Sequence, residues 1–123
     1  MITIVLADDH EELRGMFRRQ VEEEPDFEIV AEAASREEAL AHCDRLQPAL
    51  LLSDFRMPEM RFLTYVSRLR ASCPRTKLLI MSAEYDPFTI EWMQEHADGY
   101  LHKNQVVKEL AATIRSLVGV SPT

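Results

Sequence analysis

No stretch of the chain approaches the roughly eighteen unbroken apolar residues of a membrane span, so no transmembrane helix is expected. No basic segment precedes the first apolar run, and acids follow it at once, so the N-terminus does not read as a secretory leader. Positive charge is also short. Fourteen Lys and Arg against 21 Asp and Glu leave a net charge of −7. This chain alone is therefore not expected to grip a nucleic-acid backbone, which needs a basic face. Cysteine is scarce, and Cys43 and Cys73 lack metal-ligand spacing. They read as reduced thiols of a cytoplasmic protein, one buried on a helix and one near a loop, and no disulfide is expected. Internal repeats and low-complexity tracts are missing as well.

What is present is a 123-residue chain with 46% hydrophobic residues, enough for one domain with one buried core. Its centre of gravity is Leu50-Leu51-Leu52-Ser53-Asp54-Phe55-Arg56-Met57-Pro58. A short apolar run bounded by turn signals fits a strand buried on both faces, as in a parallel sheet. Here the run ends in a carboxylate. The first run, Ile2 to Ala7, likewise ends in Asp8-Asp9.

Between and beyond them, apolar periods alternate. Helical spacing is predicted over Glu11 to Glu24 (Leu13, Met16, Phe17, Val21), stopped by Pro25-Asp26. Phe27 to Ala33 reads as an edge strand. Ser35 and Glu38 form a capping box before a helix presenting Ala39, Leu40, Cys43 and Leu46. A helix over Phe62 to Ala71 shows Phe62, Leu63, Val66 and Leu69. Lys77 to Ser82 is a strand, Pro87 to His96 a helix, and Asp98 to Leu101 a short strand. The last helix, Val106 to Val118, offers Val107, Leu110, Ala111, Ile114 and Val118 to the core. Five strands alternating with five helices predict an α/β, doubly wound, flavodoxin-like parallel sheet of order 2-1-3-4-5. In that order strands 1 and 3 flank the switch point, where open α/β sheets bind ligands.

Asp8, Asp9 and Asp54 would then converge. Like charges about 4 Å apart repel by roughly 4 kcal/mol at an effective dielectric near 20, so the cluster must take up a proton or a cation. Hard oxygens at a strand edge suit Mg²⁺, which would let Asp54 meet an anionic phosphoryl group as a nucleophile. Ser82 at the end of strand 4 and Lys103 just past strand 5 would supply donors to the phosphoryl oxygens. Taken singly, each of these residues reads as a solvated turn, cap or surface head; their joint occurrence at four strand ends gives the pattern its meaning.

Leu6 to His10, Asp54 with Met57-Pro58, Ser82-Ala83 and Ala97 to Lys103 together resemble the receiver domain of two-component response regulators. The resemblance covers essentially the whole chain, and Asp8-Asp9-His10 is further similar to regulators with a LuxR-type helix-turn-helix output. It implies a cytoplasmic signalling domain that accepts phosphate on Asp54 from a sensor histidine kinase. Its only catalysis would be of its own phosphorylation and dephosphorylation. It implies Mg²⁺ held by Asp9, Asp54 and the Arg56 carbonyl, with Asp8 acting through water. It implies Ser82 and Lys103 on the phosphoryl oxygens, Tyr100 as the aromatic that switches with Ser82, and Arg56 and Glu84 as residues tuning phosphate lifetime. Partners or a second copy would bind the face of helix 4, strand 5 and helix 5, and DNA only through an output domain outside this chain, controlling transcription. Residues 1–120 would be the receiver and 121–123 the start of a linker or tail.

The family pattern is broken once. Where Asp-Gly would follow Met-Pro-x-Met, the chain has Arg61-Phe62, which predicts an altered path into helix 3 or a shifted helix start. That departure leaves room for a phosphate-independent docking module on the same fold. A haloacid-dehalogenase-like phosphatase needs a second acid two residues after its aspartate, where Arg56 stands. Flavin binding needs a hydroxyl- or glycine-rich loop after strand 1, where Asp8-Asp9-His10-Glu11-Glu12 would repel the phosphate.

Overall fold

The computed structural model of the chain describes residues 1–119; the expected linker at 121–123 lies outside them. In chain order the elements are β1 (Ile2–Ala7), α1 (Glu11–Glu22), β2 (Phe27–Ala33), α2 (Arg36–Leu46), β3 (Leu50–Asp54) and α3 (Phe62–Ser72). Then come β4 (Lys77–Ser82), α4 (Pro87–His96), β5 (Gly99–His102), a single 3₁₀ turn (Lys103–Gln105) and α5 (Val106–Val118). The five strands form one parallel sheet in the order β2-β1-β3-β4-β5, as expected.

Alternation along each strand divides the core. Ile4, Leu6, Leu50, Leu52, Leu79 and Met81 face α1 and α5, where they meet Phe17, Val21, Val106, Leu110 and Ile114. Val5, Ala7, Leu51, Leu78 and Ile80 face α2, α3 and α4, meeting Leu40, Cys43, Tyr65, Leu69 and Met93. β3 is buried along its whole length because both faces are covered, which is why its sequence shows no polar alternation until Ser53. Gly99 permits the tight seating of α5: a Cβ there would lie 2.7 Å from a Leu117 methyl.

Several expectations are corrected. Val107 does not join the core; it is 80% exposed, because the buried stripe of α5 runs through Val106, Leu110 and Ile114 and Val107 is turned about 100° from it. Met16 and Leu63 are also exposed, each displaced round its helix from Phe17 and Phe62. The cysteines stand as expected, Cys43 on α2 and Cys73 in the turn after α3, and both are buried free thiols. Burial pushes the Cys43 thiol up to about 12, so it stays protonated. Only the forward half of the Ser35 capping box forms: the Ser35 hydroxyl accepts the Glu38 N–H at 3.1 Å, while the Glu38 carboxylate lies 3.7 Å from His42. The helix start at Phe62 stands where the periodicity put it. Three residues before that position, Glu59 adopts φ 79°, a region disfavoured for a residue with a Cβ.

Candidate functional site

Strand register brings the site together. β1 pairs with β3 up to Ala7 opposite Ser53, so Asp8 and Asp54 leave their strands one step later, side by side. β3 pairs with β4 up to Asp54 opposite Met81, which puts Ser82 on the far flank. β4 pairs with β5 up to Ser82 opposite His102, and Lys103 follows. Residues far apart in sequence therefore meet because parallel strands end level.

Asp8, Asp9 and Asp54 each offer an oxygen within 4.8 Å of the others. Asp8 and Asp54 are buried and Asp9 is exposed. The Lys103 ammonium lies 3.2 Å from Asp54 Oδ1 and 3.9 Å from Asp8 Oδ2. Burial raises the pKa of both Asp8 and Asp54; Lys103 opposes the rise in each, and Asp8 adds to it at Asp54. Asp8 Oδ1 accepts the His10 N–H at 2.8 Å, and Arg14 donates to the Asp8 carbonyl at 2.8 Å. Asp8 Oδ2 is buried without a hydrogen-bond partner. A buried anionic oxygen left bare, beside further hard oxygens at that spacing, fits a small divalent cation.

Ser82 is buried, and its hydroxyl accepts the Glu84 N–H at 3.0 Å, which leaves its own proton to donate. Glu84 does not stand idle at the rim: one oxygen accepts the Tyr85 and Asp86 N–H groups, and the other lies 3.1 Å from Arg56. These bonds, the Asp86 amide first, hold its carboxyl below the usual range. The Arg56–Glu84 pair links the β3–α3 and β4–α4 loops. Tyr100 is half-buried on β5, and its hydroxyl is enclosed without a partner. His10 caps α1 through Nδ1, as a turn histidine should.

Sequence reasoning missed the supports beneath the site. The Tyr65 hydroxyl donates to Ser53 Oγ at 2.9 Å, and Ser53 donates to the Asp54 carbonyl at 3.0 Å. Arg36, the first residue of α2, is buried against the β3–α3 loop, donating to the carbonyls of Phe55 and Met60. Helical spacing could have put Tyr65 in the core beside Phe62 and Leu69. Nothing in the sequence marks Arg36, since a charged residue in a first turn reads as solvated.

The model of the response regulator receiver domain matches residues 4–115, and the chain belongs to that family. It is 32% identical over 116 residues to the response regulator GacA of Pseudomonas protegens, covering 94% of this chain and 54% of that one. The chain spans about half the length of the curated relatives it matches. Among solved structures, it is similar to a LuxR-family two-component response regulator from Aurantimonas sp. SI85-9A1 (26% identity, TM-score 0.84, 95% of this chain and 84% of that one). The fold is also that of the response regulator domain of Thermotoga maritima CheB (24% identity, TM-score 0.84, 99% of both chains). The chain is thus a signalling domain of the two-component class with the receiver fold. No helix among the described residues is long and apolar enough to cross a membrane.

Proposed function

We propose that this domain is a phosphorylation-operated switch that takes a phosphoryl group onto Asp54. The observation that carries the reading is the corner itself: Asp54 Oδ1 at 3.2 Å from the Lys103 ammonium, with Asp8 and Asp9 close enough to share a cation with it. An Asp54 oxygen attacks phosphorus, the P–N bond of a kinase's phosphohistidine breaks, and the departing imidazole nitrogen keeps the electron pair and takes a proton. Asp8, Asp9, Asp54 and the Arg56 carbonyl are the groups that would hold Mg²⁺. When bound, that ion supplies positive charge against the acids and the phosphoryl oxygens. Lys103 and the Ser82 hydroxyl then receive two of those oxygens, as preorganised donors do for developing charge. To the Arg56–Glu84 pair, which links the two loops beside the corner, we assign control of water access and so of acyl phosphate lifetime.

Movement of Ser82 toward the phosphoryl group would vacate space beside β4 for the Tyr100 ring, whose hydroxyl has no bond to hold it in place. α4 has the fewest buried residues of the five α-helices among the described residues, Met93 alone, and weakly packed elements are the ones that move. The α4-β5-α5 face would therefore carry the signal to a partner or a second copy. In a longer protein the same face would control an output domain and, through it, DNA binding and transcription, with a sensor histidine kinase upstream and a cytoplasmic location.

Incubation with acetyl phosphate and Mg²⁺ should add one phosphoryl group, labile at alkaline pH, as read by intact mass. Asp54→Ala should abolish the gain. An unchanged wild-type mass would favour the phosphate-independent docking module instead.

A further inference from the structure

Arg36 is a charged side chain buried where a first-turn residue would ordinarily meet water. It is 6% exposed. Its guanidinium carbon lies 5.4 Å from the Tyr65 ring centroid, 5.7 Å from that of Phe62 and 6.0 Å from that of Phe55. One Nη donates to the Met60 carbonyl at 2.5 Å and the other to the Phe55 carbonyl. Among the described residues no carboxylate pairs with it, and its Nε is enclosed without a partner. A guanidinium cannot shed its charge, so this burial is costly unless carbonyl dipoles and ring faces compensate it.

The Phe55 carbonyl ties Arg36 to the site. It belongs to the same planar trans peptide unit as the Arg56 N–H, and in such a unit the two groups point in opposite directions. Arg56, whose carbonyl would face Mg²⁺, lies between the two carbonyls that Arg36 holds. Positive charge at the Phe55 carbonyl polarises the Arg56 N–H at the other end of their peptide unit, since hydrogen bonds in series strengthen one another. The Met60 carbonyl immediately precedes Arg61, the cap of α3, which has no side-chain cap bond of its own. One guanidinium thus grips both feet of the 55–61 loop, using as a stacking plate the Phe62 ring that stands in place of the family's usual glycine.

We propose that Arg36 is a positioning residue for phosphoryl acceptance, acting through the Phe55–Arg56 peptide to aim the Arg56 backbone at the Asp54 corner. This rests on the phosphoacceptor reading above. The test compares wild type with Arg36→Lys, which keeps the charge but loses the planar fork, and Arg36→Met, which keeps only the stem. Three quantities are measured: the Mg²⁺ dissociation constant by calorimetry, the urea transition, and the Arg56 amide proton resonance without metal.

Both variants should bind Mg²⁺ about tenfold more weakly, the lower end of what loss of an outer supporting contact does to a metal site. The Arg56 amide proton should move upfield. Phosphorylation by acetyl phosphate should slow at low Mg²⁺ and recover as Mg²⁺ is raised. Mg²⁺ affinity within twofold of wild type, in a variant that still unfolds cooperatively, overturns the proposal whatever its loss of stability. If neither variant folds, Phe62→Leu removes one ring from the stack and should weaken Mg²⁺ binding about threefold; no change there overturns the proposal equally. A wild type that neither binds Mg²⁺ nor gains a phosphoryl group defeats the phosphoacceptor reading itself. A wild type that does both, beside unaffected variants, defeats this inference alone.

Discussion

Two loops at the same edge of the sheet deliver the facing halves of the site by different means. The β5–α5 connection is self-sufficient. His102 Nδ1 accepts the Asn104 N–H, and the Gln105 side chain accepts the His102 N–H in return, so local bonds set the turn that launches Lys103. The β3–α3 connection has no such closure. Glu59 sits at φ 79°, Arg61 makes no side-chain cap bond, and the loop is held from outside by Arg36 of α2 and by Phe62 packed at 5.0 Å on Phe55 and 5.2 Å on Trp92 of α4. A site half can be built from neighbours in sequence or borrowed from neighbours in space. Only the first kind is robust to changes elsewhere in the molecule.

The sharpest way to test the short loop is to remove what it delivers. Lys103→Met takes the ammonium from between two buried acids, and phosphorylation by acetyl phosphate should fall about hundredfold, as when one preorganised donor is lost. A loss of only a few-fold would mean that the long loop supplies the charge.

Asp8→Asn lightens the corner the two loops share. Burial holds the pKa values of Asp8 and Asp54 above the unfolded value of 3.8. The folded state therefore binds more protons than the unfolded chain in the window from that value up to the raised one. Stability without metal should fall as pH rises through that window and stay low above it. In chelator at pH 7, Asp8→Asn should raise stability by roughly 1–2 kcal/mol through loss of like-charge repulsion, and its urea midpoint should depend less on pH. A destabilised Asp8→Asn would show that Lys103 already outweighs the repulsion.

Smaller effects separate the loops themselves. Gln105→Ala removes one returning hydrogen bond and should cost about 0.5–1 kcal/mol in urea unfolding. Glu59→Gly trades relief of a strained φ against added freedom in the unfolded chain, and should stabilise by no more than about 0.5–1 kcal/mol. Opposite signs for these two substitutions would sharpen the contrast, and equal signs would erase it.

The same contrast explains what could be read in advance. The strand ends carrying Asp8, Asp54, Ser82 and Lys103 were legible because buried parallel strands announce themselves as apolar runs, and the polar residues that close each run mark the edge. The element order and the parallel sheet followed from alternation, and the flavodoxin-like strand order adopted for it is the one observed. Val107, Met16 and Leu63 were misread because apolar spacing on a helix does not say which flank of the stripe meets the core. Arg36 was invisible because its burial depends on three rings and two carbonyls drawn from α3 and the loop that leads into it.

By itself, the sequence determined the layered sheet, its strand order and the identity of the acids, hydroxyl and lysine at its edge, because periodicity and polarity are local properties. Tertiary structure alone decided that Asp8 Oδ2 would be left bare, that Arg56 would reach Glu84, and that a loop lacking its glycine would be held by Arg36. Those outcomes depend on distances between distant segments, which no local pattern encodes.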